Sequence, residues 1–138
     1  MDHEPARPSE VVEPPPLRSV HTASFPPLTP QLAISLLVTT YQAGKLVIVR
    51  ANGDHLNTHF RAFPSPMGLA LAGDRLAIGT HRQIWGFQNV PAAACELPFV
   101  GRHDACFVPR SCHVTGNVQI HETAWADDEL WFVSTRSS

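Results

Sequence analysis

A recurrence constrains this chain more than any other feature. Short β-forming runs, closed by turn residues, return about every forty residues. The first set is Leu36-Leu37-Val38-Thr39-Thr40, a turn at Gln42-Ala43-Gly44, then Lys45-Leu46-Val47-Ile48-Val49-Arg50. Asn52-Gly53-Asp54 follows, and an Asn-Gly pair between strand-like runs signals a tight hairpin. The more polar run from Leu56 to Phe63 reads as an outer or edge strand, ended by Pro64 and Pro66. The second set is Met67-Gly68-Leu69-Ala70-Leu71, a Gly73-Asp74 turn, Arg75 to Thr80, and Gln83-Ile84-Trp85-Gly86-Phe87. The third is Glu122-Thr123-Ala124-Trp125, an Asp127-Asp128 turn, and Glu129 to Thr135. Thr40 and Thr80 end equivalent strands; the longer step to Thr135 is taken up by an irregular stretch from Pro91 to Gly116.

Such a period, made of strands and turns without helical periodicity, is the pattern of β-propeller blades. A generic antiparallel sandwich is the rival. Trp85, Trp125, Trp131, Phe87 and Phe132 fall within strands, where aromatics fill the space between sheets. Trp131 and Val133 alternate with Phe132, so both faces of that strand are apolar, as suits a blade packed between neighbours.

Eight of the 13 prolines lie in the first thirty residues, where apolar side chains are sparse. Residues 1–30 therefore read as a disordered Pro-rich tail, and 31–138 as a partial propeller-like domain. Thr29-Pro30 predicts a short helix start, with Thr29 as N-cap and Pro30 at the first helical position. Closed propellers use about four to eight blades of roughly forty residues. The expectation is thus two to three blades, incomplete, in a truncated fragment of a longer protein that self-associates through its exposed terminal strand.

Composition excludes some classes. A net charge of -2 lacks the clustered Lys and Arg that nucleic-acid binding requires. No apolar run approaches the ~20 residues of a membrane span. The acidic, Pro-rich start does not resemble a signal peptide, which points to the cytoplasm. Cys95, Cys106 and Cys112 form no C-x-x-C pair and read as buried, inert thiols.

Leu37-Val38-Thr39-Thr40-Tyr41-Gln42-Ala43-Gly44-Lys45-Leu46 is distinctive, as are Pro66-Met67-Gly68-Leu69-Ala70, Leu76-Ala77-Ile78-Gly79-Thr80 and Asp127 to Val133. Together these strings resemble a bacterial family of conserved hypothetical proteins, a domain of unknown function of β-propeller type. The resemblance covers Ser35 to about Thr135. It implies the fold and carries no activity, cofactor or site residue.

Eight histidines are many for this length, and His81, His103, His113 and His121 lie in or near the irregular stretch. Imidazole and carboxylate ligate zinc, manganese or iron, but no pair shows H-x-x-x-H or H-E-x-x-H spacing. No metal, cofactor or catalytic residue is therefore assigned. The string from His103 to Arg110 holds a base, an acid, a thiol and a guanidinium. As an inter-blade loop continuing through Thr115-Gly116-Asn117, it is the expected ligand-contact region. Its contact residues would be His103, Asp104, Arg110, Thr115, Asn117 and His121. Gly44-Lys45 lacks the G-x-x-x-x-G-K-[ST] spacing of a phosphate loop and reads as a hairpin turn with Gly44 at positive φ.

The reading is a non-catalytic module that binds a small ligand, a glycan or a protein. The alternative is a metal-assisted propeller hydrolase or lactonase using His103, Asp104, His121 and Glu122. That alternative requires the four groups to converge at one channel mouth.

Overall fold

A computed structural model describes residues 20–98 and 103–136. Helix α1 (Phe25–Gln31) leads into strands β1 (Leu36–Thr40), β2 (Lys45–Asn52) and β3 (His55–Ala62), which form one antiparallel sheet in that order. Strands β4 (Gly68–Ala72), β5 (Arg75–Gly79), β6 (Gln83–Asn89) and β7 (Phe107–Val114) form a middle sheet, with helix α2 (Pro91–Cys95) between β6 and β7. Strands β8 (Ile120–Ala126) and β9 (Glu129–Ser134) form a third. The fold is all-β and propeller-like, an incomplete array of meandering antiparallel sheets.

The turns show why these strands pair as they do. Gly53 (φ 66°), Gly73 (φ 57°) and Asp127 (φ 52°) each open a two-residue hairpin with a left-handed backbone. Glycine adopts that conformation freely, and Asp tolerates it better than most residues. Gly44 (φ 61°) ends the β1–β2 turn as expected. Thr40 and Thr80 do the same work in successive sheets. The Thr40 hydroxyl donates to the Lys45 carbonyl (3.0 Å) and accepts from the Lys45 amide (3.2 Å). The Thr80 hydroxyl donates to the Gln83 carbonyl (3.0 Å) and accepts from the Gln83 amide (3.1 Å). Each fastens the turn that follows it, so the forty-residue echo is architectural. By this correspondence β1 matches β5 and β9, β2 matches β6, β3 matches β7, and β4 matches β8. Among the described residues the first sheet has no counterpart of β4.

The middle sheet separates large from small side chains by face. Leu69, Ile78 and Trp85 stand in one cross-strand row, and Leu76 and Phe87 pair in the next. They pack against Leu46, Leu37, Ile48 and Phe63 of the first sheet and its exit loop, forming the main core around Leu46, Leu76 and Ile78. Phe63 meets Trp85 and Phe87 edge-on, with centroids 6.0 and 6.3 Å apart. The opposite face carries Gly68, Ala70, Ala77 and Gly79, and β8 lies across β4 and β5 there. A Cβ at Gly68 would stand 2.7 Å from Thr123 Cγ2, and one at Gly79 would collide with Ile120. The two glycines thus form the floor on which Ile120 is buried.

Three expectations need correcting. The first helix starts at Phe25, not near Pro30, with Pro26 in its first turn and Thr29 buried. Proline is well placed at a helix start, so the Pro-rich composition concealed a helix. Residues 1–19, where the rest of the tail was expected, lie outside the described residues. The stretch from Pro91 to Gly116 contains α2 and β7, a strand whose Pro109 and exposed side chains mask its pattern. Cys95 and Cys112 are exposed and Cys106 is half-buried; none is a core thiol.

Candidate functional site

The middle sheet has two ends, and the residues expected to touch a ligand divide between them. Cys106, just before β7, donates its amide to Asn89 Oδ1 at the end of β6 (2.9 Å). His103 lies at this end. Thr115 donates its amide to the Arg82 carbonyl (3.0 Å) and Gln119 to the His81 carbonyl (3.1 Å), in the turn before β6. Thr115, Asn117 and His121 therefore belong to the opposite end, about 20 Å away along a strand of seven residues. Arg110 is exposed midway along β7, and Asp104 is exposed beside His103. Asn117 is half-buried, and its Oδ1 has no hydrogen-bond partner among the described residues.

The same division separates His103 and Asp104 from His121 and Glu122. The four groups named for a metal-assisted hydrolase do not converge. Among the described residues no three His, Cys, Asp or Glu side chains come close enough to hold a metal ion.

His103 has other company. The Arg50 guanidinium donates from Nη1 to His103 Nδ1 (3.4 Å), and from Nε and Nη2 to Asn57 Oδ1 (3.3 and 3.2 Å). Arg50 has only donors, so Nδ1 is the acceptor in this contact. Asn57 pairs with Arg50 across β2 and β3, and the pleat places His59 and Arg61 on the same face as Asn57. Burial, then the charges of Arg61 and Arg50, hold His59 below the usual histidine value of 6.5. Two arginines and two histidines, Arg50, Arg61, His59 and His103, thus line the outer seam between the first and middle sheets, with Asn57 beside Arg50. Among the described residues no carboxylate forms an ion pair with Arg50 or Arg61. Only His103 of this group was expected from the sequence. The alternation Asn57, His59, Arg61 on an edge strand was the signal for the rest.

Residues 23–138 match the family described as Domain of unknown function (DUF4915), and the chain belongs to that family. No curated protein and no solved structure matches it. No helix among the described residues is long and apolar enough to cross a membrane.

Proposed function

We propose that this member of the DUF4915 family is a non-catalytic binding module whose ligand carries a phosphate or carboxylate group. The observation that carries the reading is the cluster of Arg50, His59, Arg61 and His103, without a paired carboxylate among the described residues. A guanidinium held by Asn57 is already oriented, so little side-chain entropy remains to be lost when an anion arrives. Arg50, His59 and His103 are half-buried, which strengthens a charge-assisted hydrogen bond there relative to one in open water, while Arg61 is exposed. Nothing in the cluster is arranged as a nucleophile with its base, which favours binding over turnover. A bacterial, cytoplasmic setting suits three free cysteines and forms part of the same proposal.

Calorimetric titration with inorganic pyrophosphate tests the reading. Saturable binding is expected, weakened at least about tenfold in Arg50→Ala, the loss typical of one charge-assisted contact. Binding should also weaken with added salt. No saturable heat up to about 10 mM, weaker than any affinity worth ~3 kcal/mol, would overturn it. So would equal binding by Arg50→Ala.

A further inference from the structure

The outer faces of the two end sheets differ from each other: among the described residues, α1 and the segment before it lie over part of the first sheet's, while the third sheet's is exposed at Trp131 and Val133. On the first sheet, Val47, Val49, Leu56, Thr58 and Phe60 stand on the side away from the middle sheet. With Phe25 of α1, Thr40 and Lys45 they line an apolar groove of about 360 Å³. On the third sheet, Thr123 and Trp125 face the middle sheet, so their cross-strand partners Phe132 and Leu130 do too. Trp131, Val133 and Glu129 therefore stand on the outer side, beside Ala124, Ala126 and Glu122 of β8. Trp131 is 63% exposed and Val133 56%. An indole presented on a floor of alanines is an uncommon surface for water alone.

We propose that the chain associates head to tail with a second copy: Trp131 of one molecule enters the first-sheet groove of the next. Two observations favour a second copy over other occupants. The groove is apolar and large enough for an indole, the side chain most often found as an interface anchor. The charges also match. Lys45, the lysine of the groove, lies at the end of β2 beside Thr40, whereas Glu122 pairs with Val133 near Ser134. Those two ends are the same end of the array. The Thr39 hydroxyl reaches the Met67 carbonyl at the start of β4 (2.9 Å), and Gln119 reaches His81. A copy stacked as the internal sheets are stacked would bring Glu122 toward Lys45. Unlike surfaces meeting in this way generate rings or open chains, not isologous dimers.

Sedimentation velocity on the full chain, from about 1 to about 200 μM, reads the proposal across the range of ordinary interface affinities. The wild type should exceed its monomer mass of 15.1 kDa as concentration rises. Trp131→Ala, at an exposed site, and Thr58→Lys, inside the groove, should each weaken association about tenfold or more. Circular dichroism would establish that each variant is folded, and either one alone keeps the test decisive. An equimolar mixture of the two should form a dimer and stop there, since one intact interface remains. Lys45→Glu should weaken association, and Glu122→Lys added to it should restore it. A monomer at every concentration would overturn the proposal. So would association indifferent to both variants, a mixture that forms no dimer, or a groove found by native mass spectrometry to hold a small molecule.

Discussion

The two faces of the middle sheet are covered in opposite ways. Toward the first sheet, Leu76, Ile78, Trp85 and Phe87 interdigitate with Leu46, Ile48 and Phe63, and dispersion and apolar burial hold the junction. Toward the third sheet, the residues are Gly68, Ala70, Ala77 and Gly79, and the partner supplies the bulk through Ile120 and Thr123. That second junction is finished by a polar clasp. Arg75 lies 4.4 Å over the Trp125 ring and donates to the Asp127 carbonyl (2.8 Å) and to Asp128 Oδ1 (3.2 Å). A repeating array thus need not repeat its interface. What recurs is the hairpin and its threonine clasp, while each junction has its own fit of size to size.

The comparison predicts different failures on the two sides. Ile78→Ala opens a cavity in the large-residue junction, where no neighbour can fully collapse. It should destabilise the fold by about 3–5 kcal/mol in urea unfolding. Gly79→Ala fails for the contrary reason, overpacking against Ile120, with an expected loss of about 1–3 kcal/mol. Combining it with Ile120→Ala should recover part of that loss, whereas Ile78→Ala with Ile120→Ala should be additive. If Gly79→Ala is neutral, the close approach of β8 is wrong. Arg75→Ala should lower stability by about 1 kcal/mol; its side chain is a third exposed, so solvent reduces the ion pair and leaves the cation–π contact to dominate. Asp127→Gly should stabilise by about 0.5–1 kcal/mol, because the left-handed turn then needs no strained residue and the Arg75 bond goes to the main chain.

The smallest expected effect concerns the seam outside the first junction. His59 titrates lower in the folded protein than unfolded because burial and the neighbouring Arg61 and Arg50 disfavour its cation. The unfolded chain therefore binds the proton more readily. The contribution of His59 is intact above about pH 6.5 and is lost as the pH falls from there through the lowered folded value. Thermal unfolding between pH 7.5 and 5 should show this, and His59→Asn should flatten that part of the profile.

Much of the fold was legible because strand, turn and clasp are local. The Asn52-Gly53 and Gly73-Asp74 hairpins, the β3 edge and the equivalence of Thr40 with Thr80 can all be read within a few residues. Strand β7 was not legible, since an outer strand with one half-wet face has little alternation to display, and Pro109 argues against a strand by itself. Helix α1 was misplaced because Pro26 and Pro27 were counted as tail, and the helix start was put at Pro30 instead. The site was the least legible part. Arg50 and His103 are 53 residues apart, and only the packing of two sheets brings them together. His103 and His121, both drawn into one loop on the sequence, are separated by the length of β6.

The central claim is that the middle sheet is the hub of the molecule, packed by another sheet on both faces, while among the described residues each flanking sheet packs against one other sheet only. Native-state amide hydrogen exchange tests it most directly. The β5 amides of Leu76, Ala77 and Ile78 should be the last to exchange, outlasting those of Val47 and Ile48 in β2, which is also flanked by strands on both sides. Amides of β2 or β8 that outlast β5 would contradict the account, as would exchange at one common rate across all three sheets.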